Sequence, residues 1–231
     1  MKSIKLIIKS KRSVLILTLL LASTTLTMAQ NYRFGAYISP LLSWFRTDLK
    51  EVRNEGARAG YDLGIRLEKP LSEFASLTGG LSLKTSGGRL VSNSSSTFWF
   101  PDYSVAVAAG EPVIYKISYL SVPVGIKLRT RENGYLTYFA EPGLDPAVVV
   151  SGKVDIPSID IKGMRAMTEI TRFNIGYHVN GGIEYSINGS TSLVLGAGFE
   201  STFFDVTRDR GDQEEDRTVQ RFLKFIFGIN F

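Results

Sequence analysis

Cysteine is absent from this chain of 231 residues, which excludes disulfide bonds and thiolate metal sites. Long apolar runs are also scarce, because beyond the N-terminal segment each one is interrupted by a charge, a glycine or a proline. A membrane-spanning helix in that part of the chain is therefore excluded as well. No linker and no repeat of about 20–50 residues divides the sequence, whose length suits a single domain.

The positive net charge of the chain comes from its N-terminus. The first twelve residues hold five cations and no acid, namely Lys2, Lys5, Lys9, Lys11 and Arg12. The apolar run VLILTLLLA follows at 14–22, and a polar segment then ends in the small residues Thr27 and Ala29. This order is typical of a secretory signal peptide, and the run is too short to span a bilayer. We predict a signal peptide over residues 1–29, cleavage between Ala29 and Gln30, and one domain over residues 30–231.

Removal of the five N-terminal cations leaves a formally neutral chain. The high isoelectric point of the whole sequence is therefore a property of the targeting segment. A basic surface for nucleic acid is not expected, and we predict no nucleic-acid partner.

Apolar and polar residues alternate through most of the remaining chain. The segment RFLKFIFGINF at 221–231 places a large apolar residue at every second position, and RAGYDLGIRLEK at 58–69 alternates without a break. A period of two predicts a strand with two unlike faces. Eight segments follow this rule and are predicted as strands: 32–38, 58–69, 77–84, 119–128, 136–145, 173–185, 192–200 and 221–231.

The connections between these strands also alternate, between short and long. Short turns with Pro, Asn-Gly or Gly lie at 69–72, 129–134 and 187–190, and long connections lie at 40–57, 86–112, 151–168 and 207–218. Short turns at one end and long loops at the other are typical of outer-membrane barrels. The predicted fold class is all-β: an eight-stranded antiparallel transmembrane β-barrel with short periplasmic turns and long extracellular loops.

The choice of the inward face decides the class of function. A lipocalin-like periplasmic barrel would turn its apolar face inward and bind an apolar ligand, whereas a membrane barrel turns that face to lipid. The polar face here is rich in glycine, which leaves room for long charged side chains in a narrow interior. The apolar face carries Tyr and Phe near strand ends, as an interfacial girdle would. Both features favour the membrane barrel.

The polar face also carries charges of both signs in nearly equal number. We predict that these residues pair inside the barrel as an interior charge network: Arg33, Asp62, Arg66, Glu68, Lys84, Lys127, Glu141, Asp145, His178, Glu184, Glu200 and Lys224. Eight strands enclose a space that side chains just fill, so no open pore is predicted.

Several segments resemble one known family. They are the signal peptide ending at Ala29-Gln30, YLSVPVGIKLR at 119–129, GYHVNGGIEYSI at 176–187, and a last strand that ends at Phe231. The sequence resembles the small outer-membrane β-barrel proteins of Bacteroidota, called PorT-like or "porin family". The resemblance implies location in the outer membrane, outer-membrane lipid as surroundings, and the barrel-assembly machinery as a partner that recognises the terminal aromatic residue. One branch of the family is a component of the type IX secretion system.

Candidate chemistry is sparse. His178 is the only histidine and could act as a general base in the interior, but no nucleophilic serine is marked by a motif. The acidic segment at 207–218 lacks EF-hand spacing and is interpreted as a solvated loop. We predict no enzyme activity, no catalytic or metal-binding residue and no cofactor.

Aromatic residues in the second long loop form a candidate contact patch of Phe98, Trp99, Phe100 and Tyr103. An interfacial belt or a strand that continues beyond the bilayer would explain them equally well. The sequence thus predicts a non-enzymatic outer-membrane barrel with a structural or adaptor role in an envelope protein complex. A PorT-like secretion component and a lipocalin-like binder remain as alternatives.

Overall fold

A computed structural model of the chain describes residues 32–48, 52–99, 104–208 and 217–231. The predicted signal peptide and its cleavage site, Ala29 and Gln30, lie outside the described residues. Within the described part of the chain, no helix has the length and apolar character that crossing a bilayer requires. The strands are β1 Arg33–Arg46, β2 Val52–Asn54, β3 Arg58–Pro70, β4 Ala75–Ser92, β5 Ser96–Trp99, β6 Ser104–Val107, β7 Pro112–Ser121, β8 Val124–Arg129, β9 Leu136–Ile156, β10 Ile161–Arg165, β11 Phe173–Ser186, β12 Ser192–Thr202 and β13 Val219–Asn230.

Eight strand positions close into a ring within the compact unit Phe34–Phe231. The ring runs β1, β3, β4, β7 with β8, β9, β11, β12 and β13, and β13 pairs back to β1 in antiparallel register. β7 and β8 share one position because Pro123, which has no N–H to donate, interrupts a single strand that pairs with β4 and β9. Closure leaves the ring without a free edge. The predicted eight-stranded antiparallel barrel is confirmed.

Four strands extend well beyond the predicted alternation. β1 continues to Arg46, β4 to Ser92 and β9 to Ile156, and β7 begins already at Pro112, so the predicted connections at 40–57, 86–112 and 151–168 are partly strand. The prediction was wrong there because the apolar residues change faces. Phe45, for example, is buried, whereas Phe34 and Ile38 earlier in β1 point outward.

The lower part of the ring, toward the short turns, has apolar residues outside and charged residues inside. Ile65, Leu83 and Phe227 are about half exposed, whereas Lys127 and Glu68 are almost fully buried. This polarity is the one that lipid requires and is the opposite of a lipocalin-like barrel. The alternative of a soluble binder of an apolar ligand is therefore wrong.

At the long-loop end the interior is apolar. We call this group the apolar cap; it comprises Phe45, Leu90, Phe98, Val107, Val113, Tyr115, Ile117, Tyr119, Ala147, Val149, Val154, Ile156, Ala166, Ile170 and Val206. The Phe45 and Tyr115 rings meet edge to face with centroids 5.6 Å apart. Burial of each large side chain contributes about 1.5–3 kcal/mol, so the cap stabilises the extended part of the barrel much as the core of a soluble domain does.

Candidate functional site

The charged interior begins near the short turns with a tier of buried ion pairs. Glu68 accepts a hydrogen bond from Lys127 Nζ at 3.2 Å and also pairs with Arg129. Lys127 pairs with Glu184 as well, and Asn230 Nδ2 donates to the same Glu184 oxygen at 3.0 Å. Lys127 thus bridges two carboxylates that come from strands on opposite sides of the ring.

A second tier surrounds the only histidine. His178 Nδ1 lies 2.6 Å from Asp145 Oδ2, and its Nε2 lies 3.5 Å from Glu141 Oε1. Arg66 reaches the other oxygen of Glu141 at 3.1 Å, and Asn180 Nδ2 donates to the first oxygen at 3.3 Å. Both ring nitrogens of His178 therefore face carboxylates contributed by the neighbouring strand β9.

The third tier lies under the apolar cap. Glu200 pairs with Lys84 and, through its other oxygen, with Lys224 Nζ at 3.3 Å. The Lys84 ammonium also lies 4.5 Å from the centroid of the Phe222 ring, a cation–π contact. Above it, Tyr119 donates to Gln220 Oε1 at 2.7 Å. The charged part of the interior therefore borders the apolar cap at the level of Tyr119 and Gln220.

Glycines provide the room for these tiers. An added Cβ at Gly143 would lie 2.5 Å from His178 Nε2, and one at Gly64 would lie 2.5 Å from the phenol carbon of Tyr37. Both glycines share the inward face with the large side chains that they accommodate. The glycine-rich polar face is thus a packing requirement of a narrow, filled interior.

Replacement of Gly143 by alanine is expected to lower the free energy of unfolding by about 1–3 kcal/mol, because the methyl group would meet both the His178 ring and the backbone carbonyl oxygen of Val124. Gly79→Ala is the matched control, since nothing lies within 4 Å of a Cβ there. We expect the control to be neutral or slightly stabilising. Urea unfolding in detergent micelles measures both, and equal stability of the two variants would contradict the packing argument.

Eleven of the twelve residues predicted for the interior charge network are buried or half-buried inside the ring. Arg33 shares the inward alternation but is exposed at the start of β1. Asp62 is buried inside the ring, and its side chain has Lys84 and Lys224 as the nearby cations. Arg129 was not included in the prediction because it was assigned to a turn. Its position in the same alternating series as Lys127 was the available signal.

The tiers hold buried charges of opposite sign in contact with one another. His178 is 1% exposed and both its nitrogens face carboxylates, a geometry that fixes the ring and leaves no nitrogen directed at a hydroxyl nucleophile. In the described ranges, no group of three His, Cys, Asp or Glu side chains is arranged to hold a metal ion. Two small cavities beside the tiers each have room for about one water molecule.

The candidate contact patch in the second loop is only partly described. Phe98 lies in β5, which pairs with β6, and is 7% exposed within the apolar cap. Its assignment to an exposed patch was wrong because the apolar interior at this end, which the alternation did not reveal, takes up its ring. Trp99 pairs through its backbone with Ser104. Phe100 and Tyr103 lie outside the described residues.

Several solved structures align with most of this chain at low sequence identity. Neisserial surface protein A is 12% identical, with 85% of this chain and 95% of that chain aligned and a TM-score of 0.48. Ail, the attachment invasion locus protein of Yersinia pestis, is 12% identical over 87% and 99% of the two chains, with a TM-score of 0.41. OprG of Pseudomonas aeruginosa is 8% identical over 87% and 96%, with a TM-score of 0.48. Comparison with curated protein sequences finds no match.

Family membership rests on a match that covers most of the sequence. Residues 28–208 match the family model described as "Outer membrane protein beta-barrel domain". The match agrees with the closed ring, the outward apolar face and the charged interior. The chain is therefore a member of the outer-membrane protein β-barrel domain family, located in the outer membrane.

Proposed function

We propose that the protein is a non-enzymatic scaffold of the outer membrane that presents its long loops to partners in an envelope protein complex. The observation that carries this proposal is the filled interior: buried ion pairs occupy the lower part and the apolar cap occupies the upper part. Within the described ranges, the cavities beside these ion pairs have room for about one water molecule each. The surfaces left for interaction are the lipid-facing wall and the loops.

Export is the first step of this proposal. The basic start, the apolar run at 14–22 and the small residues before Gln30 support a signal peptide cut after Ala29. Assembly by the barrel-assembly machinery, guided by Phe231, follows from the resemblance to small Bacteroidota barrels. N-terminal sequencing of the protein purified from membranes is expected to begin at Gln30, and a start at Met1 would contradict cleavage.

A PorT-like role in type IX secretion is the second candidate. The resemblance of the segment at 119–129 supports it, and in the structure this segment spans the end of β7, Pro123 and β8. The same segment supplies Lys127 and Arg129 to the charged interior. The two candidates differ in the partners they need. A secretion component would co-purify with other proteins of the secretion system.

Affinity purification from detergent-solubilised envelopes tests both candidates. A tag inserted in the described turn at 187–191, at the short-turn end, leaves the loops free. Defined envelope proteins that co-purify, and that are lost when the second long loop is shortened, would support the scaffold. Secretion-system subunits among them would favour the PorT-like role. Purification of the barrel alone after chemical cross-linking would contradict both.

The filled interior also predicts the absence of steady ion conduction. Gly152 faces inward against Ile170, whose Cδ1 would lie 2.5 Å from an added Cβ, so the Ile170 side chain fills the interior at this level. Planar-bilayer recordings of the purified protein are expected to show no stable openings. Large steady conductance steps would show that the cap does not block the interior.

A further inference from the structure

The outward face of β4, β7, β9 and β10 changes chemistry in successive rows above the lipid-facing wall. Residues directly opposite each other on antiparallel strands share a face. The first row is apolar and consists of Leu83, Leu120 and Val148. The second row bears hydroxyl groups and consists of Thr85, Ser118 and Ser151. The third row, which we call the cation row, consists of Lys116, Lys153 and Arg165 on three adjacent strands.

The cation row brings like charges together. Lys153 lies directly opposite Lys116 on one side and Arg165 on the other, an arrangement that is destabilising without a counter-ion. Lys116 pairs with Asp155, which also accepts the backbone N–H of Gly163 at 2.7 Å. Across the described ranges, neither Lys153 nor Arg165 has a carboxylate within the 4.0 Å limit of an ion pair.

Further cations extend the row on the same side of the barrel. Arg89 is exposed on β4, outward and opposite Ile114 of β7, and its carbonyl oxygen accepts the backbone N–H of Glu55 at 3.0 Å. The guanidinium-bearing side chain of Arg58 lies beside Gly87, at the level of Lys116. The group therefore has an excess of positive charge, and Arg89, Lys153 and Arg165 are exposed to solvent.

The height of the cation row fits the headgroup layer of a bilayer. Lys116 is four residues beyond Leu120, which is about 13 Å along a strand and about 10 Å in height at a tilt of roughly 40°. The polar layer on each side of a bilayer is about 5–8 Å thick. Lysine and arginine side chains reach several ångströms back toward the bilayer, because they keep the charge at its surface. The three rows thus match hydrocarbon, the polar linkage region and phosphate in order.

We propose that the cation row binds the phosphate groups of a phosphorylated lipid in the outer leaflet. Lys153 supplies a compact charge and Arg165 a planar pair of donors, and both bind phosphate oxygens well. The bound phosphate neutralises the like-charge contacts, while the acyl chains lie against the apolar row below. This inference rests on location in the outer membrane and does not depend on the proposed scaffold role.

Binding of lipid A to the purified full-length barrel in detergent tests the proposal. Native mass spectrometry counts bound lipid for the wild type and for the double variant Lys153→Gln/Arg165→Gln. We expect the variant to bind lipid A with two phosphates about thirtyfold more weakly, since each cation near a membrane surface contributes about a factor of five. Lipid A stripped of both phosphates is expected to bind the two proteins equally and weakly.

The matched control is Lys69→Gln/Arg131→Gln, which removes two cations at the short-turn end. It is expected to bind lipid A as the wild type does. The charge-keeping variant Lys153→Arg/Arg165→Lys is expected to retain binding, and the heat-dependent gel mobility of a folded barrel checks each protein. Equal binding by the wild type and the Gln variant would overturn the proposal. Pyrophosphate binding as tight as that of lipid A would identify a site for soluble anions and overturn the lipid assignment.

Discussion

Replacement of Lys127 by alanine is expected to destabilise the barrel by about 3–5 kcal/mol, because it leaves the buried carboxylates of Glu68 and Glu184 without their shared cation. Lys127 is fully buried, so water cannot take its place at low cost. Urea unfolding in detergent, followed by tryptophan fluorescence, measures the loss. This is the largest single effect that the structure predicts for the interior.

Two variants distinguish the buried pair from salt bridges in general. Lys162→Ala removes the partner of Asp160, but both side chains of that pair are more than three-quarters exposed, so a loss of less than about 1 kcal/mol is expected. Lys127→Met/Glu184→Gln keeps the Glu68–Arg129 pair and removes the uncompensated charge, and should recover more than half of the loss. Equal stability of Lys127→Ala and Lys162→Ala would show that the interior is solvated.

Introduction of arginine on the outward wall is expected to have the second large effect. Ile65 is 63% exposed in the described fold and lies opposite Leu81 near the middle of the lipid-facing stretch of β3. Ile65→Arg should cost about 2–4 kcal/mol in a bilayer, since the charge must be moved out of hydrocarbon. Unfolding from lipid vesicles, in which the wall faces real hydrocarbon, is the measurement that applies.

A second arginine, placed higher on the wall, tests whether the cost of Ile65→Arg depends on its depth in the bilayer. Ser118→Arg lies in the hydroxyl row and is expected to cost about 0–1 kcal/mol. Both variants should leave the contacts inside the ring unchanged, because both side chains point outward. A cost for Ile65→Arg that matches that for Ser118→Arg would contradict the assignment of the wall to lipid.

Alternation predicted which face each residue of the membrane wall occupies, because a strand has only two faces and lipid accepts only one of them. Leu83 and Lys84 are a clear case: adjacent in sequence, one is 55% exposed and the other 3% exposed. The partners inside the ring could not be predicted in the same way. Glu68 and Arg129 meet across 61 positions of sequence, and their pairing depends on the register of three strands.

The apolar cap escaped prediction for a different physical reason. A membrane barrel and a soluble barrel place apolar residues on opposite faces, and this chain changes from one to the other within single strands. In β9 the register shift near Ser151 lies at the change, where outward Val148 gives way to outward Lys153. A prediction that expects apolar residues on the outward face along the whole strand therefore assigns the upper part, where they face inward, to a loop.

The composition of the apolar cap sets an order of events during biogenesis. Its side chains come from the first three long connections and from the strand ends and the segment beside the fourth, from Phe45 to Val206. The cap is therefore completed only after every one of these segments has passed to the far side of the membrane. Once formed, the packed cap opposes the return of any single hairpin through the bilayer, because a hairpin could return only if its buried side chains left the cap.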